Sequence, residues 1–102
     1  IVPLGAAYEN VAIVNLIIGD SSNNVTFLQN ALKKYPNNNR LWTYLAIEQA
    51  AVSNYDEAKT AILNAYRTGS IPPALYESIM NKTDLEIPIT GSQKIVHIKW
   101  NK

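Results

Sequence analysis

The chain has 102 residues, with 9 Lys and Arg against 8 Asp and Glu, one His and no Cys. That length suits one small domain able to bury a core without metal or disulfide staples, and the absence of Cys excludes disulfides, thiolate metal sites and cysteine nucleophiles. A net charge of +1 lacks the dense basicity of a dedicated nucleic-acid binder, and the lone His97 excludes a multi-histidine site.

Every acidic residue lies at or before Glu86, and beyond it stand only Lys94, His97, Lys99 and Lys102, so a mildly acidic body joins a basic tail. No apolar run approaches the roughly 18 residues that span a bilayer; the longest, Val11 to Ile18, is broken by Asn15. No basic region precedes an apolar stretch at the start, so no signal peptide is expected. A start at Ile1 reads as a processed chain or an excised piece.

The first element, around Tyr8 to Ile18, is rich in β-branched residues that alone would suggest a buried strand. The repeat register below assigns it to a helix, apolar nearly all round through Ile13, Val14 and Ile17, and such a helix touches something on both sides. Ser21 to Asn24 then reads as an inter-helix loop. A second helix is expected over Val25 to Tyr35, with Phe27, Leu28, Ala31, Leu32 and Tyr35 inward and Pro36 stopping it. Leu41 to Val52 predicts a third helix capped by Asn39. Tyr55 to Thr68 predicts a fourth, with Ala58, Ala61, Ile62 and Ala65 on one face, Ser53 or Asn54 as its cap, and Gly69 as a C′ residue. Pro72-Pro73 opens a fifth, Ala74 to about Thr83, with Tyr76, Ile79, Met80 and Thr83 inward and Glu77, Ser78, Asn81 and Lys82 outward.

From Leu85 the period becomes two. Leu85, Ile87 and Ile89 alternate with Glu86, Pro88 and Thr90, and Val96, Ile98 and Trp100 alternate with Ile95, His97 and Lys99. Gly91-Ser92 is a hairpin-type turn signal. A hairpin on the helices, pairing with another chain, the start of a further β-domain, and an extended segment along the repeat surface all remain open.

Self-comparison finds a period of 34 residues: Tyr8, Trp42 and Tyr76; Val11, Leu45 and Ile79; Ala12, Ala46 and Met80; Leu28 and Ile62; Ala31 and Ala65. On these columns the chain resembles the tetratricopeptide repeat family, whose unit is two antiparallel helices. Asn24 departs from that pattern at a position usually Ala, and Asn15 and Gln49 replace a usual aromatic. The resemblance implies an all-α right-handed superhelix of about two and a half helix pairs: units of about 5–38 and 39–72, a capping helix at 73–84, and a separate extended or β-like tail at 85–102.

The resemblance further implies a concave surface, lined by the first helix of each unit, that takes an extended peptide or a partner helix. Glu9, Ile13, Arg40, Thr43, Ile47, Glu77 and Asn81 are the residues expected to line it. The Lys/Asn clamp by which some relatives grip a peptide carboxylate has no counterpart here.

As to chemistry, Glu9, Glu48 and Glu77 lie on first helices, where solvated charges outweigh an acid–base role. His97 has no partner set for catalysis. Lys94, His97, Lys99, Trp100 and Lys102 read as a solubilising strand face, with no nucleic-acid partner and at most indirect membrane contact. The expectation is a non-catalytic interaction or scaffold module with no cofactor and no metal, binding a protein or peptide, or the remainder of a larger parent chain. Self-association through the tail is a further possibility. The alternative is a structural appendage of a larger, membrane-embedded or polysaccharide-processing assembly, its groove packed on its own tail or parent.

Overall fold

In a computed structural model, residues 5–100 are described; Lys102 lies outside them. Five helices come first: α1 (Ala6–Ile18), α2 (Ser21–Lys34), α3 (Asn39–Ala51), α4 (Tyr55–Thr68) and α5 (Pro73–Asn81). Strands β1 (Leu85–Pro88) and β2 (Ile95–Ile98) follow and pair antiparallel, with Leu85 opposite Ile98 and Ile87 opposite Val96. The molecule is mainly helical, and the tail is a hairpin packed on the helices.

The stack is held by small residues. Ala12, Ala31, Ala46, Ala50, Ala58, Ala61 and Ala65 are all buried, which lets helix backbones approach closely while Leu16, Leu28, Leu41 and Ile62 fill between them. α1 packs on α2 and α3, α2 on α3, and α3 on α4; α5 packs on α4 and β1, while β2 packs on α3. Each such Leu or Ile contributes about 1.5–3 kcal/mol on burial.

Two helix starts differ from expectation. α2 begins at Ser21, so the Ser-Ser-Asn-Asn run is its first turn and not a loop. The cap of α3 is Asn38, whose Oδ1 accepts from the Leu41 amide at 2.9 Å. Asn39 instead donates to the Ala65 carbonyl at 2.7 Å, tying α3 to α4. Asn54 occupies the N-cap of α4 without a side-chain cap bond, and its amide donates to Gln49 Oε1. Gly69 ends α4 in extended backbone, with φ 167°, and not in the left-handed conformation of a C′ glycine. On α5, Ser78 is buried and not outward: its hydroxyl donates to the Thr83 carbonyl, closing the helix end, while Thr83 itself is exposed.

Gly5 shows why α1 begins where it does. Its φ of +86° is in the left-handed region, and a Cβ there would lie 2.7 Å from Asn38 Nδ2. Glycine lets the start of α1 sit against the cap of α3.

The hairpin has the period-two burial its sequence predicts. Val96, Ile98 and Trp100 are buried with Ile89, while Ile95, His97 and Lys99 face out. Gly91, at φ 82°, turns the loop, which the Ile89 amide closes by donating to the Lys94 carbonyl at 2.9 Å. An isolated two-stranded hairpin is marginal in water; this one is anchored. The Trp100 indole donates to the Thr83 carbonyl, its ring meets Tyr55 edge-on at 5.9 Å, and the Ser53 hydroxyl donates to the Lys99 carbonyl. The Lys82 ammonium sits 4.3 Å from the centre of the Tyr55 ring on the same side chain that Trp100 touches.

Candidate functional site

Among the residues expected to line the concave surface, Glu9 and Arg40 come together. Glu9 Oε1 lies 3.7 Å from the Arg40 guanidinium, and Glu9 Oε2 accepts from Asn38 Nδ2 at 2.9 Å. Asn38 therefore caps α3 and grips α1 with one side chain. Tyr44 adjoins this pair. Burial pushes its phenol above the ordinary 10.0, the Arg40 charge opposes that, and the Glu9 charge adds to it. Glu9 and Arg40 line a polar cleft of about 800 Å³ together with Lys34, Tyr35 and Asn37 to Asn39. Arg40 itself is exposed at the surface, while the Glu9 side chain it meets is largely buried.

The apolar strip expected beside these charges is divided. Ile13 on α1 is half-buried. Ile47 is buried in the same core cluster as Val96, Ile98 and Trp100, and β2 packs on its helix. Thr43 is half-buried, with its hydroxyl donating to the Asn39 carbonyl at 2.9 Å, a bond within its own helix. Glu77 and Asn81 are exposed on α5, a helix that packs on α4 and β1.

Glu48 corrects the reading of solvated charges on first helices. It is 1% exposed, and its Oε2 accepts from Asn24 Nδ2 at 2.6 Å. The same Asn24 nitrogen donates to the Ala12 carbonyl at 3.0 Å, and Asn24 Oδ1 accepts from Asn15 at 3.4 Å. One fully buried amide thus joins α1, α2 and α3. A carboxyl group is tolerated in burial when a close donor meets it. The signal was present in the sequence: Asn24 and Asn15 are both departures from an apolar pattern.

His97 pairs with Glu86 across the hairpin, Nδ1 to Oε2 at 3.2 Å, with both side chains largely in solvent. Among the described residues no group of three or more His, Asp or Glu side chains is placed to hold a metal ion.

A surface that the sequence reading located only in part lies on α1. Val11, Val14 and Ile18 are 45%, 51% and 69% exposed. With exposed Ala7 they form one stripe at spacings of four, three and four residues. Ala12 and Leu16, on the opposite side, are buried against the stack. A shift of 34 residues places Ala7, Val11 and Val14 on Leu41, Leu45 and Glu48, all buried in a helix that has α1 and α2 packed against it.

Comparison with protein-family models, with curated proteins and with solved structures finds no match.

Proposed function

We propose that the chain is a non-catalytic protein-interaction module of tetratricopeptide type, with the outer face of α1 as its main contact surface. One observation carries this reading. A stripe of aliphatic side chains stands in water on α1, in the register that the next unit uses for a closed helix–helix interface. Exposed aliphatic side chains packed in one row mark a surface that another body covers.

A second reading, a structural appendage whose groove is filled by its own tail, is favoured by the packing of β2 on α3, with Ile47 of that helix buried in the same core cluster as Val96 and Ile98. The two readings differ in what touches α1. A photo-reactive residue at position 14, introduced in cells that express the protein, tests them. The interaction module yields one discrete intermolecular adduct, and the same probe at exposed Asn30 yields none. Only intrachain products from position 14 would support the appendage instead.

A further inference from the structure

The open groove between α2 and α4 carries chemistry that neither the concave surface nor the α1 stripe accounts for. Its volume is about 420 Å³, and α3 forms its floor through Trp42, Leu45 and Gln49. Leu32 from α2 and Ala61 from α4 complete an apolar middle.

Gln49 is the unusual member. It is 4% exposed, and its Oε1 accepts from Asn54 Nδ2 at 2.9 Å, while its Nε2 makes no hydrogen bond among the described residues. No side-chain polar atom sealed from solvent lacks a partner among the described residues, so Nε2 keeps some contact with solvent, and Gln49 lines this groove. A nearly buried amide donor on a residue that lines an apolar channel is free to meet an acceptor there.

The ends of the channel have opposite charge. α2 leads through Pro36 into α3, and Trp42 donates its indole N–H to the Pro36 carbonyl at 2.8 Å, so Lys33 stands at the Trp42 end. α3 leads through Asn54 into α4, and Asn54 holds Gln49, so Asp56 and Glu57 stand at the Gln49 end. None of these three charges makes an ion pair among the described residues. Trp42 and Gln49 are seven residues apart on one helix, about 10 Å, and an extended peptide covers that length in about three residues.

We propose that this groove binds an extended segment of a partner protein that reads acidic, apolar, basic. The apolar side chain lies over Leu45 between Leu32 and Ala61, and the acidic one faces Lys33. The basic one faces Asp56 and Glu57, and a backbone carbonyl accepts from Gln49 Nε2. The site lies on different helices from the α1 stripe, so it stands or falls independently of the function proposed above.

The test uses the full 102-residue chain, ¹⁵N-labelled, titrated with a capped Ser-Glu-Leu-Arg-Ser peptide. Saturable shifts of the Trp42 indole and Gln49 side-chain amide signals are expected. Replacing exposed Asp56→Asn and Glu57→Gln together weakens binding by about threefold to tenfold, as does Lys33→Gln to a smaller degree, since each removes one end of the charge match. The Val11→Asp, Val14→Asp chain binds the peptide as the unaltered chain does. The proposal is overturned if the Gln49 amide does not move at millimolar peptide. It is equally overturned if Ser-Glu-Leu-Glu-Ser binds as well, or if the charge variants bind unchanged.

Discussion

The 34-residue sequence register sets α1 beside α3, yet Leu45 is 6% exposed where Val11, its counterpart in that register, is 45% exposed. Polarity runs against exposure at the next pair of positions: buried Glu48 corresponds to half-exposed Val14. Two different physical situations explain this. Around α3 the chain closes its own interface, so a charge is tolerated because Asn24 reaches it from α2 at 2.6 Å. Around α1 nothing in the described residues covers the outer side, so the apolar positions keep their character without a cover. A body that covers α1 would need no counterpart of Asn24, because Val14 offers no carboxylate to satisfy.

The sharpest way to break the closed side is Asn24→Leu. It strands the Glu48 carboxylate and frees the Ala12 carbonyl, and a loss of about 3–5 kcal/mol in unfolding free energy is expected from urea denaturation. Adding Glu48→Met to Asn24→Leu removes the stranded charge and recovers most of that loss, a non-additive result that a double-mutant cycle reads directly. Equal losses in the single and double variants would refute the coupling.

Next in size is Trp100→Ala, which removes the indole bond to Thr83, just past α5, and the contact with Tyr55 at the start of α4, two ties of the hairpin's end to the helices. The expected cost is about 3 kcal/mol. Hydrogen exchange should show loosening of the Val96 and Ile98 amides while the Leu28 and Leu41 amides stay protected. Uniform loosening would mean that hairpin and helices unfold as one unit.

The smallest effect concerns Tyr44, beside the Glu9–Arg40 pair. Its folded-state pKa is raised, chiefly by burial, so the neutral phenol is preferred in the fold. The stability this contributes is complete below the unfolded value near 10 and declines as pH rises through the folded value. Tyr44→Phe should flatten that alkaline decline, as followed by unfolding midpoints at increasing pH.

Much of the closed side was legible because it rests on local pattern. The 34-residue columns placed the helices, and the alternation from Leu85 to Trp100 predicted which hairpin side chains turn inward. What escaped depended on partners far apart in sequence. Glu48 looks solvated until Asn24 is brought to it across 24 residues. Asn38, and not Asn39, caps α3 because Asn39 is drawn to the Ala65 carbonyl on α4. Ile47 was expected on an open surface but is buried, and nothing in its own helix signals that β2 packs on that helix. The α2–α4 groove was invisible for the same reason, since its three walls come from separate segments, although Gln49 in place of an aromatic marked the floor.

The comparison of α1 with α3 comes to a decision in one doubly substituted chain, Val11→Asp with Val14→Asp, carrying a photo-reactive residue at position 18. Two quantities are measured together: its unfolding free energy, and its yield of intermolecular adduct in cells. The account predicts stability within about 0.5 kcal/mol of the unaltered chain, because both positions already face water, together with loss of the adduct. Undiminished adduct at unchanged stability would contradict it, as would a stability loss of several kcal/mol, which would show that α1 is covered from within the chain.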